Sequence, residues 1–234
     1  MAIALTESVL TTLTRDRLIL FTRYPEPGRT KTRLIPHLGA EGAAALQRQM
    51  TEYMLTQVLA TPSQFPISLE VRFVGGDVTC MRAWLGDELA YQLQGDGDLG
   101  DRLSRAFQQG FQAGMERIVI IGSDCPEVTS QQMIQAFNYL RRHDLVLGPA
   151  VDGGYYLIGL RQAQPALFKN IAWSTADVCQ QTDAIAQQLG LSIAYLDRLS
   201  DVDRPEDLPI WEAVCSTDSK LREPYAREQN PTPQ

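Results

Sequence analysis

The chain is poor in the residues that build zinc and redox centres. Its 234 residues include two histidines, His37 and His143, and four cysteines, Cys80, Cys125, Cys179 and Cys215. No two cysteines are close together, and neither histidine stands at a ligand spacing from Cys or Asp, so neither a zinc knuckle nor a CxxC redox pair is supported. Scattered thiols of this kind read as reduced and mostly buried side chains of a cytoplasmic protein. No apolar run approaches the roughly 18 residues that a membrane helix needs, which argues against a membrane partner. The opening MAIALTESVLTTLTRDR has no basic start and carries Glu7, so it reads as an extension rather than a secretory leader. Positive charge is also scarce: 21 Lys and Arg stand against 28 Asp and Glu, a net charge of -7. An acidic surface repels phosphate backbones and argues against nucleic acid as a partner. Internal repeats, heptads, low-complexity tracts and GxSxG elbows are missing as well.

What is present is ordinary globular composition, 44% hydrophobic and 21% charged, enough for one large α/β domain with its own core. Strand-like runs at 17–23, 67–74, 90–93, 117–122, 144–147, 155–160 and 191–196 alternate with helical patterns at 41–60, 81–84, 99–114, 130–142, 175–189 and 205–214. The 117–122 run, RIVIIG, is continuously apolar and β-branched, as in a central parallel strand covered on both faces. The 144–147 and 155–160 strands follow each other at once and form an antiparallel pair. Alternation of this kind predicts a mostly parallel sheet with helices on both faces. The expected divisions are an extension over 1–16, a single domain over 17–215, and a polar, proline-containing tail over 216–234.

The first strand runs into FTRYPEPGRTKTRL, which sets Arg23, Arg29, Lys31 and Arg33 against Glu26 alone. GRTKT is not a Walker P-loop, because Lys31 follows Thr30 rather than Gly and the upstream glycine is missing. The physics is more general: a strand end, a glycine at Gly28 that permits a close turn, and converging N–H groups and cations suit a phosphate or diphosphate. VIIGSDCPEVT delivers Asp124 to the end of the 117–122 strand, where a carboxylate suits Mg²⁺ or Mn²⁺ bridging to substrate phosphates. Thr129 or Ser130 can cap the next helix, leaving Asp124 for that task. In LSDVDRPEDL, Asp201 and Asp203 suit a metal equally; Asp203 could instead be an N-cap, and Glu206 and Asp207 read as first-turn acids of a helix. QGDGDLGDRL is either a helix-start turn or a set of N–H groups for a base or phosphate. GPAVDGGYYLIG places Asp152 in a turn, from which it could meet an acceptor hydroxyl as general base. Trp173 in IAWST could stack on a ligand, although a core aromatic is the plainer reading.

PEPGRTKTRL, GDLGDRL, IGSDCP, GPAVDGGYYLIG, IAWST and DVDRPEDL occur together and in this order. The set resembles bacterial glycosyltransferase-like proteins of the nucleotide-diphospho-sugar transferase superfamily, some of them linked to arsenosugar biosynthesis. The PGxxKTRL loop is also similar to that of phospholactate guanylyltransferases. The resemblance implies a three-layer α/β/α sandwich of the GT-A, Rossmann-like type around a mostly parallel mixed sheet. It implies that Arg23, Gly28, Lys31 and Arg33 contact a nucleotide diphosphate, and that Gly97, Asp98 and Gly100 lie near base or ribose. Asp124 and Asp203 would hold Mg²⁺ or Mn²⁺, and Asp152, Gly153, Gly154 and Trp173 would face sugar or acceptor. Lys31 and Asp152 are the expected catalytic groups. The local motif has one carboxylate, Ser123-Asp124-Cys125-Pro126, where many GT-A enzymes carry Asp-x-Asp. The implied partners are a nucleotide or nucleotide sugar and a small-molecule acceptor, and a homodimer is left open. Glycosyl transfer is the first expectation, nucleotidyl transfer with pyrophosphate release the second, and a non-catalytic nucleotide-binding regulator the third.

Overall fold

The computed structural model describes residues 14–61 and 65–217; most of the expected extension and tail therefore lie outside the described residues. The strands are β1 (Asp16–Arg23), β2 (Ile67–Val74), β3 (Ala90–Leu93), β4 (Arg117–Gly122), β5 (Leu145–Pro149), β6 (Tyr155–Leu160) and β7 (Ile193–Tyr195). The helices are α1 (Ile35–Leu59), α2 (Val78–Leu85), α3 (Leu99–Gln112), α4 (Ser130–Tyr139), α5 (Val178–Gln188) and α6 (Leu208–Thr217). The strands form one sheet in the order β3-β2-β1-β4-β6-β5-β7. Every pairing is parallel except the two made by β6, which runs against both β4 and β5. The expected mixed, mostly parallel sheet is what the chain forms.

Alternation along the strands explains the layers. In β1, Leu18 and Leu20 face one side of the sheet, where they join Met54 and Val58 of α1 and Met133 and Phe137 of α4. Ile19 and Phe21 face the other side and join Leu103, Ala106 and Phe107 of α3 and Ala186 of α5. Successive side chains of a strand point to opposite faces, so an unbroken apolar run means both faces are covered. The result is an α/β/α sandwich. A smaller cluster seals α6 against the first half of α1 through Leu34, Leu46, Met50 and Trp211. Among the described residues no helix is long and apolar enough to cross a membrane.

Three local readings need correction. The first helix begins at Ile35, not Glu41, because a non-helical Gly39 (φ 72°) lets two helical stretches join across a kink. The helix expected from residue 175 starts at Val178. The helix expected from Pro205 begins as a 3-10 turn, Pro205–Asp207, whose N-cap is Arg204 rather than Asp203. The Asp207 carboxylate accepts from the backbone N–H groups of both Asp203 and Arg204, which closes that turn. Two cysteines, Cys125 and Cys215, are buried; Cys80 and Cys179 are half-buried, and all four are free thiols.

Candidate active site

The chain runs outward from β1 to β2 and β3, then returns to β4 on the other side of β1. Strand order therefore reverses between β1 and β4, beyond whose carboxyl ends the loops diverge. In open α/β sheets that position binds ligands. The loops after β1, β3, β4, β5 and β7 all leave the sheet at this rim, because those strands run in one direction.

The loop after β1 is closed on itself. Thr30 Oγ1 donates to the Tyr24 carbonyl (3.1 Å) and accepts from the Glu26 N–H (3.3 Å). Gly28 takes φ 80°, a conformation glycine adopts at little cost. Lys31 takes a left-handed conformation as well (φ 43°, ψ 49°), which turns its side chain inward. Its side chain is 3% exposed, and Nζ donates to Asp124 Oδ1 (2.8 Å) and to the Val202 carbonyl (2.7 Å). The Val202 N–H in turn donates to the Asp124 carbonyl (2.8 Å). Three segments remote in sequence are thereby locked at one point. Arg33 pairs with Asp203 across the same rim. Arg23 is exposed, and Arg29 pairs loosely with Glu26 in solvent.

The acidic side of the rim is crowded. Burial pushes the Asp201 carboxyl up to about 6, helped by the negative charges of Asp152, Asp203 and Asp124. Carboxylates gathered at one place suit a hard cation, and carboxylate oxygen is the right donor for Mg²⁺ or Mn²⁺. Asp124 fits such a group: its side chain is 54% exposed, and Lys31 engages one of its two oxygens. Among the described residues no three His, Cys, Asp or Glu side chains are grouped to hold an ion by themselves. A cation here would be shared between two carboxylates, water and substrate phosphates, a usual arrangement for Mg²⁺.

The remaining motifs are placed partly by structural need. Asp98 caps α3: its carboxylate accepts from the Asp101 N–H (2.9 Å), while Asp101 accepts from the Asp98 N–H (3.2 Å). The same loop is held by Arg102, which donates to the Gly97 carbonyl (3.1 Å), and by Arg105, which donates to the carbonyls of Gln94 and Asp96. These contacts turn carbonyls of the loop toward the helix. Gly100 is buried where a methyl group would lie 2.7 Å from the Trp173 ring, so the glycine lets Trp173 seat against α3. Trp173 also packs on the core cluster beneath α3, as the plainer reading expects. Gly153 (φ 92°) lies so close to the Ala176 carbonyl that a Cβ would sit 2.0 Å from its oxygen. The Cys179 N–H donates to the Gly153 carbonyl (2.9 Å), and the Gly154 N–H donates to Asp152 Oδ1 (2.8 Å). The 171–177 segment thus spans from the α3 start to the 150–154 turn, with Asp152 exposed at the turn.

Two participants were not singled out from the sequence. The Val202 carbonyl is invisible to side-chain motifs, since any residue could supply it. Gln47 of α1, buried beside Ser123, carries no motif at all.

The profile of the family described as "Uncharacterized protein conserved in bacteria (DUF2064)" matches residues 58–175. This chain belongs to that family. The DUF2064 match includes Gly97, Asp98, Gly100, Asp124, the 150–154 turn and Trp173. A crystal structure described as a nucleotide-diphospho-sugar transferase from Desulfovibrio desulfuricans G20 is 34% identical, covers 92% of this chain and 97% of its own, and superposes with a TM-score of 0.82. A curated relative, 3-phospho-D-glycerate guanylyltransferase of Phenylobacterium zucineum (strain HLK1), is 37% identical over 114 residues. That match covers 45% of this chain and 50% of the relative, so the chain spans about half the length of the curated relative it matches. A nucleotidyl transferase from Methanothermobacter thermautotroptrophicus is 13% identical with a TM-score of 0.57, covering 87% of this chain and 99% of its own; it shares the fold.

Proposed function

We propose that this protein is a transferase acting on a nucleotide, and that it transfers a nucleotidyl group from a nucleoside triphosphate to a small phosphorylated acceptor. The observation that carries this reading is the Lys31–Asp124 contact at the β1/β4 reversal. It joins the cationic loop to the acidic cluster at the position where this type of sheet binds phosphates. The guanylyltransferase name of the 37% identical relative ranks nucleotidyl transfer above glycosyl transfer and points to GTP. In that reaction an acceptor phosphate oxygen attacks the α-phosphorus, a new P–O bond forms, the bond to the β-phosphate oxygen breaks, and pyrophosphate leaves.

Each residue then has a role. Arg23, exposed beside the loop, meets the outer phosphates. Arg33 exchanges Asp203 for a phosphate oxygen. Lys31 holds Asp124 in place and spreads positive charge beneath the leaving group; to touch a phosphate directly it would have to leave the two oxygens it now serves. Asp124 and Asp203 would hold Mg²⁺ or Mn²⁺, which when bound neutralises charge developing on pyrophosphate. Asp152 orients the acceptor from the 150–154 turn, and Trp173 with Gly100 forms the wall between acceptor and base. An acceptor phosphate is already ionised near neutral pH, so Asp152 has no proton to remove in this reaction.

A second reading, glycosyl transfer from a nucleotide sugar, rests on the description of the Desulfovibrio structure. The test is a product assay with Mg²⁺ or Mn²⁺. GTP, ATP, CTP or UTP is offered with 3-phosphoglycerate or 2-phospholactate, and separately each nucleotide sugar is offered with simple acceptors. Pyrophosphate release with GTP supports nucleotidyl transfer. Nucleoside diphosphate from sugar nucleotides alone would favour the second reading. Tight binding with neither product would leave a regulator.

A further inference from the structure

Behind the rim lies a closed side-chain network that neither reaction assigns. The Gln47 amide nitrogen is within 3.0 Å of Ser123 Oγ, 3.0 Å of Thr51 Oγ1 and 3.3 Å of Thr22 Oγ1. Thr22 Oγ1 lies 2.9 Å from Thr51 Oγ1 and donates to Ser123 Oγ at 3.3 Å. All four residues are at most 5% exposed.

The position of this network matters more than its existence. The β1–β4 ladder ends at the pair Phe21 and Gly122. The next residues are Thr22 and Ser123, and after them Arg23 and Asp124. Pairing between β1 and β4 therefore stops two residues before Arg23 and Asp124, although β1 stays paired with β2 as far as Arg23 and Val74. Gln47 and Thr51 sit four apart on α1 and so share a helix face. Their polar groups bridge β1 and β4 where the ladder between these two strands has ended, and tie Thr22 and Ser123 to one helix. The β1 tip is held from its other side too: Gln94 Nε2 donates to the Thr22 carbonyl (3.2 Å) and the Arg72 carbonyl (3.1 Å). Four apolar side chains of like volume would fill the space behind the sheet with no desolvation cost; a satisfied polar set at that spot holds geometry instead.

We propose that Gln47 is a positioning residue of the active site, acting through Thr22 and Ser123 to set where Arg23 and Asp124 stand. The inference rests on the nucleotide site described above, so its test separates the two. Single Gln47→Met leaves three buried hydroxyls short of a partner and lowers the melting temperature, as any structural role would. The informative variant combines Gln47→Met, Thr51→Val, Ser123→Ala and Thr22→Val, which removes all partners together and leaves no group unsatisfied. It is expected to melt within about 3 °C of the original protein. Its amides at 22–24 and 123–125 should nevertheless exchange at least about ten-fold faster, with the rest of the sheet unchanged. Affinity for Mn²⁺ with GTP should fall at least about ten-fold, while Asp124→Asn serves as the control for the site itself. Unchanged exchange at both strand tips overturns the proposal, whatever the original protein binds. So does undiminished Mn²⁺–GTP affinity in a variant that Asp124→Asn shows to be measurable. Failure of the original protein to bind Mn²⁺ or GTP refutes the site assignment instead, and the exchange rates still decide whether Gln47 holds the tips.

Discussion

The Lys31–Asp124 contact makes an asymmetric prediction, because its two ends differ in exposure. The lysine side chain is 3% exposed and the aspartate side chain 54%. Lys31→Met removes the ammonium and leaves a carboxylate that water can reach, together with the Val202 carbonyl, which loses its 2.7 Å donor. A hydrogen bond to a charged group is worth about 1.5–3 kcal/mol, and re-hydration of Asp124 discounts it, so the expected cost is about 1–2 kcal/mol. Asp124→Ala does the opposite. It strands a buried ammonium with one carbonyl for a partner, and breaking a buried pair from that side costs about 3 kcal/mol, the low end of the usual range because one partner is half-exposed. Removing both leaves little charge behind. The double variant should therefore be more stable than the sum of the singles predicts, by about 1–2 kcal/mol.

Urea unfolding in a metal-free, chelator-containing buffer measures all four corners of this cycle. The slopes with denaturant should stay equal, so that midpoint shifts report stability alone. Two results would refute the reasoning. One is Lys31→Met costing more than Asp124→Ala, which would mean that the ammonium is not the desolvated end. The other is additivity within about 0.5 kcal/mol, which would mean that the two side chains do not meet in solution.

Two further outcomes follow from the geometry of the rim and the sheet edge. Gly153→Ala should cost about 2–4 kcal/mol, because a Cβ there would lie 2.0 Å from a backbone oxygen at an unfavourable φ; Gly28→Ala, with the same φ penalty but no neighbour within 4 Å, should cost about 1–2 kcal/mol, and equal thermal shifts would contradict the packing. At the far edge, the Ser192 hydroxyl and then its N–H hold the Asp144 carboxyl below its ordinary value of 3.8, so this contact contributes stability above that pH and loses it as pH falls through the lower, folded value. Ser192→Ala should lower stability at pH 7 and make acid unfolding below pH 3.8 less steep, whereas an acid limb identical to the parent's would show that the contact is not made.

Most of the architecture is legible in the chain because burial on both faces leaves a local mark. RIVIIG and YYLIGL each match a strand end for end, since an unbroken apolar run has one use in a covered sheet. The Thr129 cap is equally local: its hydroxyl meets Gln132 three residues on. The kink at Gly39 is not legible, because glycine there could equally have ended a helix. Nor is Arg204 at the Pro205 turn, where the nearby acids mimic a cap and the choice falls to which carboxylate is already engaged. Asp203 is engaged by Arg33, 170 residues away in the chain, and Asp207 takes the turn. The rim shows the same division. Asp124 and Lys31 can be picked out as residue types at strand ends, but the burial of Lys31 depends on its left-handed backbone and on the Val202 carbonyl. Gln47 carries no signal because glutamine in a helix is ordinary until Thr22, Thr51 and Ser123 arrive around it.

An acidic protein that keeps a cationic loop raises a question about where the charge goes. In the structure most of it is already committed. Lys31 serves Asp124, Arg33 serves Asp203, Arg29 serves Glu26, and Arg23 is the loop cation for which no ion pair is found among the described residues. A phosphate arriving alone would meet a site whose cations are mostly paired with carboxylates. A divalent cation arriving alone would meet carboxylates held by cations. Under the proposed function the two arriving together would exchange partners: the phosphates would take up Arg33, and Asp203 and the second oxygen of Asp124 would hold the divalent ion, so that each interaction released on one side is replaced on the other. On that proposal a resting site balanced in this way would favour the metal–nucleotide complex over either component, and would do so without leaving an unpaired charge buried at the head of the sheet. The loop's positive charge would then be half of an exchange whose other half is the acidic cluster facing it.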